Sequence, residues 1–357
     1  MSEIPSETAE TPPTQQSEFE KLTQIVSAEF QVEEALLEHN VPTYYLKQPQ
    51  ETKQAFLRLL KNLEAMNLIA FLRRVDNRIV LKIVPKPPVK KSNIMVNWIL
   101  FFATIGTTFV TGYLLSLDLI NPFIGGATFT VAMMAVLGMH EMGHKISANE
   151  KGVEATPPYF IPGPPPFGTF GAVIMQKSLP PNKDALFDIG ASGPIMGFIV
   201  ATIVSAVGLT MLIPSSPRTD TTLIQTPILW ILLAQLLSSL NMIPRPVGNQ
   251  VLYLHPVTFA GWVGLVVTLL NLLPAAMLDG GHVARSMVNE KLRLVLSALS
   301  ILFLFYEGFW PMAFLVLFLS MYRHPGPLDD VSNLSMGRKF LAIALVAIFV
   351  LCLFTSF

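Results

Sequence analysis

The spacing of apolar and polar residues changes character near residue 92. Before it, apolar positions recur at helical or alternating spacing among charged ones. Phe19 to His39 is helical in period, and Thr43-Tyr44-Tyr45-Leu46 reads as a strand. Thr52 to Met66 predicts an amphipathic helix with Phe56, Leu59, Leu60 and Leu63 on one side. Leu68 to Arg74 and Arg78 to Val84 alternate around Asp76-Asn77, a hairpin signal. A small soluble α/β domain is therefore expected over 17–84. A Pro/Ser/Thr-rich tail at 1–16 reads as disordered, and 85–92 reads as a stiff basic linker.

After residue 92 the apolar runs lengthen. Spans are predicted at Asn97 to Leu117, Phe123 to Ala148, Leu186 to Ile213, His255 to Leu273 and Phe340 to Phe354. Leu292 to Tyr322 adds a helical hairpin turning near Glu307-Gly308. The pattern predicts an α-helical polytopic membrane protein of about seven spans, with a membrane core over 93–289 and C-terminal spans over 290–357. Pro157 to Lys177 interrupts it with six prolines and three glycines, yet stays apolar. Its second half, Gly168 to Met175, reads as a strand. Non-helical backbone at membrane depth is tolerated only when buried in protein or lining a wet cavity, so a membrane-embedded β-hairpin is expected. It either captures an unwound substrate along a strand edge, through Gly168, Phe170, Gly171 and Val173, or plugs the interior.

Composition agrees with a membrane protein. The 357 residues are 52% hydrophobic and 13% charged, with a mean hydropathy of +0.52; soluble domains average about 25% charged. Residues 1–92 hold 12 of the 24 Lys+Arg and 12 of the 24 Asp+Glu. Zero net charge gives no support for nucleic-acid binding. Cys352 is the only cysteine, so neither an intrachain disulfide nor a thiolate zinc site is expected. Residues 1–20 lack the basic start and apolar core of a signal peptide. Lys86, Lys90 and Lys91 precede the first span and Asp118 follows it, placing the N-terminal domain on the cytoplasmic (or stromal-equivalent) side.

Chemistry concentrates at two places. His140-Glu141-Met142-Gly143-His144 lies inside the second span, toward its cytoplasmic end. Residues four apart on a helix are about 40° apart around its axis. Both imidazoles can thus reach one Zn²⁺, with Glu141 beside them to handle protons. Three ionisable residues on an apolar helix should face a protein interior and have a task. A catalytic zinc needs a third protein ligand. Asp279, in Leu278-Asp279-Gly280-Gly281, is the best candidate, with His282 and His255 as competitors; a helix-capping role for Asp279 is the alternative. Gly193 and Gly197 form a GxxxG pair that close helix packing alone explains. His39 reads as a solvated or capping residue.

Counting crossings constrains the topology. If both Pro227–Met242 and His255–Leu273 crossed, Asp279 would emerge about 30 Å from the two histidines. About sixteen residues reach only about 24 Å as a helix, and prolines bracket the first of the two segments. Pro227–Met242 is therefore expected to be re-entrant from the outer leaflet, leaving Pro244 to Tyr253 outside with Arg218.

These residues resemble the site-2 proteases, intramembrane zinc metalloproteases, over about Asn97 to Asn289. HEMGH at 140–144 is similar to the family's HExxH, and NLLPAAMLDGG at 271–281 to its Asn-x-x-Pro…Leu-Asp-Gly pattern. The lack of a PDZ-sized insertion resembles the plastid, archaeal and cyanobacterial branch. Ala276 stands where many members have proline and His282 where many have arginine. The resemblance implies one Zn²⁺ per chain held by His140, His144 and Asp279. Glu141 takes a proton from the attacking water and passes one to the leaving amine, while Asn271 contacts substrate backbone or the developing oxyanion. It also implies transmembrane protein substrates in the lipid bilayer, with an upstream site-1 protease as candidate partner. A non-proteolytic membrane metalloprotein, such as a divalent-metal transporter, and an inactive protease-like scaffold are the rival readings.

Overall fold

The computed structural model describes residues 13–88, 92–217, 224–322 and 324–355. Most of the tail expected at 1–16, linker residues 89–91 and Arg218 lie outside these ranges. Contacts divide the chain into two units. The first joins residues 1–89 to two short segments from far along the chain, 181–183 and 327–333.

In that unit, α1 (Pro13–Glu29) is followed by β1 (Val32–Glu38), β2 (Val41–Leu46), α2 (Lys53–Glu64), β3 (Leu68–Val75) and β4 (Arg78–Pro85). The helical period read from Phe19 to His39 holds only to Glu29. His39 and Asn40 both take positive φ, 50° and 64°, and this tight turn folds β1 back antiparallel onto β2. Cross-strand pairing overrides the local helical spacing. The sheet runs β1-β2-β4-β3, all antiparallel. Helix α2 buries Ala55, Phe56, Leu59 and Leu63, joining a core that includes Tyr44, Leu72 and Leu81.

The outer edge of β3 is covered by the distant segments. Leu72 N–H donates to the Leu328 carbonyl (2.9 Å), and Asp330 N–H donates to the Leu72 carbonyl (3.1 Å). Asp329 N–H reaches the Pro181 carbonyl (2.9 Å). The fully buried Asp329 carboxylate accepts from the amides of Val331 (2.9 Å) and Ser332 (3.0 Å) and from the Ser332 hydroxyl.

The second unit is mostly helical. It begins with α3 (Ile94–Ser116), α4 (Pro122–Glu150), the hairpin β5 (Tyr159–Pro162) and β6 (Thr169–Val173), and α5 (Lys183–Thr210). Helices α3, α4 and α5 are each long and apolar enough to cross a membrane. Next come β7 (Ile213–Ser215), β8 (Thr226–Pro227), α6 (Ile228–Ser239), β9 (Val251–Tyr253), α7 (Pro256–Leu272) and α8 (Asp279–Met287). The chain closes with α9 (Glu290–Tyr306), α10 (Trp310–Ser320), α11 (Met336–Cys352) and β10 (Phe354–Thr355).

Two short ladders join helix ends. β7 pairs antiparallel with β9, so the chain leaving α5 runs beside the chain entering α7. β8 pairs with β10, which sets the start of α6 beside the end of α11. At the other end of α5, Asp188 pairs with Lys151 (2.8 Å) and takes a bidentate contact from Arg338 of α11 (2.7 and 2.6 Å). The ion network fixes the angle at which α5 meets the end of α4. Val136 of α4, Ala201 of α5, and Leu265 and Leu269 of α7 share one buried cluster.

Candidate metal centre

Helix α4 starts cleanly because Asn121 caps it, its side-chain oxygen accepting from Phe123 and Ile124 amides, with Pro122 at the first turn. From there the helix runs 29 residues without a break and buries His140, Glu141 and His144, at 3%, 6% and 6% exposure. Asp279 arrives from the opposite direction. Helix α7 ends at Leu272, and a turn through Ala276 (φ 49°) feeds Asp279 into the first position of α8. Proline, locked near φ −65°, could not occupy this Ala276 conformation. The next residue must be glycine, since a Cβ at Gly280 would lie 2.1 Å from the Leu272 carbonyl oxygen.

The two approaches converge on a triangle. His140 Nε2, His144 Nε2 and Asp279 Oδ2 lie 3.2 Å from one another on every side. Donors bound 2.0–2.1 Å from a tetrahedral Zn²⁺ sit about 3.3 Å apart, so the triangle has the size of three ligand positions with a fourth left open. The tautomers agree. His144 Nδ1 donates to the Ile189 carbonyl (2.7 Å), which leaves the Nε2 lone pair for a metal. His140 Nδ1 is buried without a partner among the described residues. Two imidazoles and a carboxylate, packed this closely in an apolar interior, suit a divalent cation shared among them.

What presses the imidazoles into place is the small-residue stripe of α5. Gly193 faces His144, Gly197 faces His140, and Gly190 faces His282. Packing was reason enough for the glycines in sequence. The partners of Gly193 and Gly197 are the ligand imidazoles and that of Gly190 is the Cβ of His282, which no periodicity reveals, because it requires knowing which helix lies opposite.

Glu141 sits beside the triangle, with the Ile174 backbone hydrogen-bonded to its carboxylate. Ile174 directly follows β6, so the hairpin ends beside the Glu141 side chain. Asn271 Nδ2 is 3.4 Å from His140 Nε2, at the rim of the same group. The hairpin residues spread away from the metal ligands. Gly168 (φ 74°) is tied to α3, its carbonyl accepting from the Thr107 hydroxyl (2.7 Å). Phe170 is 74% exposed, and Gly171 and Val173 pair with Ile161 and Tyr159 of β5. His255 stands apart, its Nδ1 capping α7 by accepting from Val257 N–H (3.1 Å). His282, one turn beyond Asp279, bonds instead to His324 (2.7 Å).

The comparisons with known proteins point the same way. The family model for peptidase family M50 matches residues 128–306, half of the 357 residues, including both motifs. The chain is 35% identical over 170 residues to a protein of Oryza sativa subsp. japonica named probable zinc metalloprotease EGY1, chloroplastic, covering 46% of this chain and 29% of that protein. Its Arabidopsis thaliana counterpart is 33% identical over 170 residues, 46% of this chain and 30% of that one. A probable zinc metalloprotease EGY2 of Oryza sativa subsp. indica is 27% identical over 221 residues, 61% of this chain and 39% of the relative. The chain thus spans about a third of the length of the curated relatives it matches. No solved structure matches. A zinc-sized triangle of two HExxH histidines and an LDGG aspartate, inside the stretch that the family model covers, places the chain in peptidase family M50.

Proposed function

We propose that the chain is an intramembrane zinc metalloendopeptidase that hydrolyses peptide bonds within transmembrane segments of membrane-bound proteins. The observation that carries this is the 3.2 Å triangle of His140, His144 and Asp279 with Glu141 beside it, built on apolar helices. His140, His144 and Asp279 hold the metal. Bound zinc supplies Lewis-acid polarisation and a water acidic enough to lose its proton near neutral pH.

The other steps belong to side chains. Glu141 accepts the proton of the attacking water and returns one to the leaving amine nitrogen. Asn271 donates from Nδ2 to substrate backbone at the rim of the metal group. A peptide bond in an intact helix is shielded by its own hydrogen bonds, so the substrate must unwind locally before attack. β6 offers its unpaired edge to that unwound stretch. Beyond β6, the Met175 carbonyl accepts from Thr156 N–H and the Met175 N–H donates to the Thr156 hydroxyl, while the Ile174 backbone turns to Glu141; on that alternation the amide of Ala172 is turned toward the open side. A metal-transit reading lacks comparable support. Among the described residues, one group brings three metal-ligating side chains together, and a transit path needs several along its length.

The membrane arrangement follows from the same reading. The N-terminal residues and the opening to the site face the cytoplasmic, or stromal-equivalent, side. α6 dips from the outer face and returns, which is supported by the β7–β9 ladder that sets the chain leaving α5 beside the chain entering α7. At 12 residues, α6 reaches about 18 Å, short of about 30 Å of hydrocarbon. Helices α7, α9 and α11, of 17 residues each, complete about seven spans together with α10, whose 11 residues are no more than those of α6 but which returns the chain from the end of α9 to the His324 contact with His282.

Quantitative mass spectrometry of membrane fractions tests the function. Wild-type cells should release soluble fragments of single-span proteins that cells carrying Glu141→Gln retain whole. Identical fragment profiles would overturn the assignment.

A further inference from the structure

A second histidine pair, His282 and His324, lies one helical turn from the metal ligand Asp279. His282 follows Asp279 by three residues on α8, which puts both on one face of the helix. Gly193 and Gly197 face the rings of His144 and His140, and Gly190 one turn earlier faces the Cβ of His282, so α5 runs past the base of the His282 side chain and then past the two ligand imidazoles. The His282 side chain therefore starts beside the metal ligands, one turn from Asp279. Its own partner is His324, in the loop between α10 and α11. His282 Nδ1 and His324 Nε2 are 2.7 Å apart with the rings edge to face.

Proton positions along this chain of contacts can be worked out from its far end. The Gly326 backbone N–H, which can only donate, points at His324 Nδ1 (3.0 Å). That nitrogen is thus an acceptor, and the proton of a neutral His324 ring sits on Nε2. His324 is neutral because burial above all, with the Arg285 and Arg293 cations nearby, holds its pKa down to about 3. Its Nε2–H donates to His282 Nδ1. A neutral His282 is then left with its proton on Nε2, as a donor with no partner among the described residues.

We infer that His282 donates from Nε2 to a backbone carbonyl of the bound substrate, and that His324 is the positioning residue that fixes this tautomer and ring orientation. The inference rests on the proteolytic reading above. An unwound segment at the site has carbonyls that have lost their helical partners, and in apolar surroundings each needs a donor. A histidine meets that need only when its tautomer is set from behind, as the loop at 324–326 does here.

The test uses the full chain in proteoliposomes with a single-span substrate. His324→Leu should lower kcat about tenfold at unchanged zinc content, and His324→Gln, whose amide can accept from Gly326 and donate to His282, should recover most of the loss. Arginine donates without a tautomer to set, so in a His282→Arg background His324→Leu should cost nothing further. Equal losses in both backgrounds would make His324 a structural loop residue and overturn the proposal, as would no loss in the native background. If His282→Arg does not accumulate in the membrane, His282→Gln serves the same comparison. Nitrogen-15 NMR of the imidazoles reads the tautomer without any cleavage. The native protein should show His282 protonated at Nε2 alone and His324→Leu a mixture of forms. A mixture already in the native protein would refute the positioning role, whereas native tautomer order in a protein that cleaves nothing would refute the proteolytic reading and, with it, the donor role.

Discussion

Gly193 lies against His144 so closely that a Cβ at the glycine would sit 2.0 Å from Nε2, the nitrogen turned toward Asp279. No real side-chain carbon approaches that near, so any larger residue displaces the imidazole. Gly193→Ala should therefore cost zinc before it costs fold. Metal content of the purified variant, measured by inductively coupled plasma mass spectrometry, should fall at least tenfold at limiting zinc. Gly197→Ala meets His140 Nδ1 at 2.8 Å and should lose less. Full zinc occupancy in Gly193→Ala would show that α5 gives way instead.

Ligand and base separate by what each loses. Glu141→Gln preserves the triangle and should keep one zinc per chain, while cleavage drops by about 10²–10⁴. His140→Ala and Asp279→Ala each remove a corner and should lose metal and activity together. Retained zinc in Asp279→Ala would remove it from the ligand set.

The two motifs were readable in sequence because ligand spacing within each is local. An i, i+4 pair of histidines on an apolar helix advertises a metal, and a carboxylate among glycines in an apolar turn is costly without a partner. The helices and antiparallel sheet of the first unit were also legible in part from their periodicities. The short helices and their ladders were not, because two- and three-residue strands leave no period to detect. His324 was invisible for a different reason. A lone histidine in a loop carries no signal until its partner, 42 positions earlier, is known.

The hairpin makes a directional prediction. Proline at Ala172 removes an amide from the unpaired edge of β6, while proline at Val173 disrupts pairing with Tyr159 inside the hairpin. Ala172→Pro should raise KM or lower kcat on a transmembrane substrate at unchanged zinc content and unchanged thermal stability. Val173→Pro should lower the thermal stability too. Normal turnover by Ala172→Pro would leave the strand without a role in substrate capture.

Topology is open to chemical labelling. Ser216 precedes the segment containing α6 and Asn249 ends it, and the β7–β9 ladder draws their flanking residues together. Single cysteines at 216 and 249, in a Cys352→Ser background, should react alike with an impermeant thiol reagent in right-side-out membranes. Reaction at 216 with protection at 249 until permeabilisation would mean that α6 crosses.

The borrowed edge of the four-stranded sheet has a consequence for biosynthesis. β3 is made by residue 75, but the strand segment that covers its outer side is not made until residues 328–330 leave the ribosome. Until then the sheet waits with one row of amides and carbonyls unmatched, and Asp329 finds its buried place only after the whole stretch between β3 and residue 328 has been made. Contacts that join residue 72 to residue 328 are among the slowest a chain can close. A nascent chain stalled before residue 327 would expose an open β-edge to its neighbours, the kind of surface that seeds sheet-to-sheet association. Completion of the sheet at β3 is in this way timed by a segment that follows it only after α3 to α10 have been made.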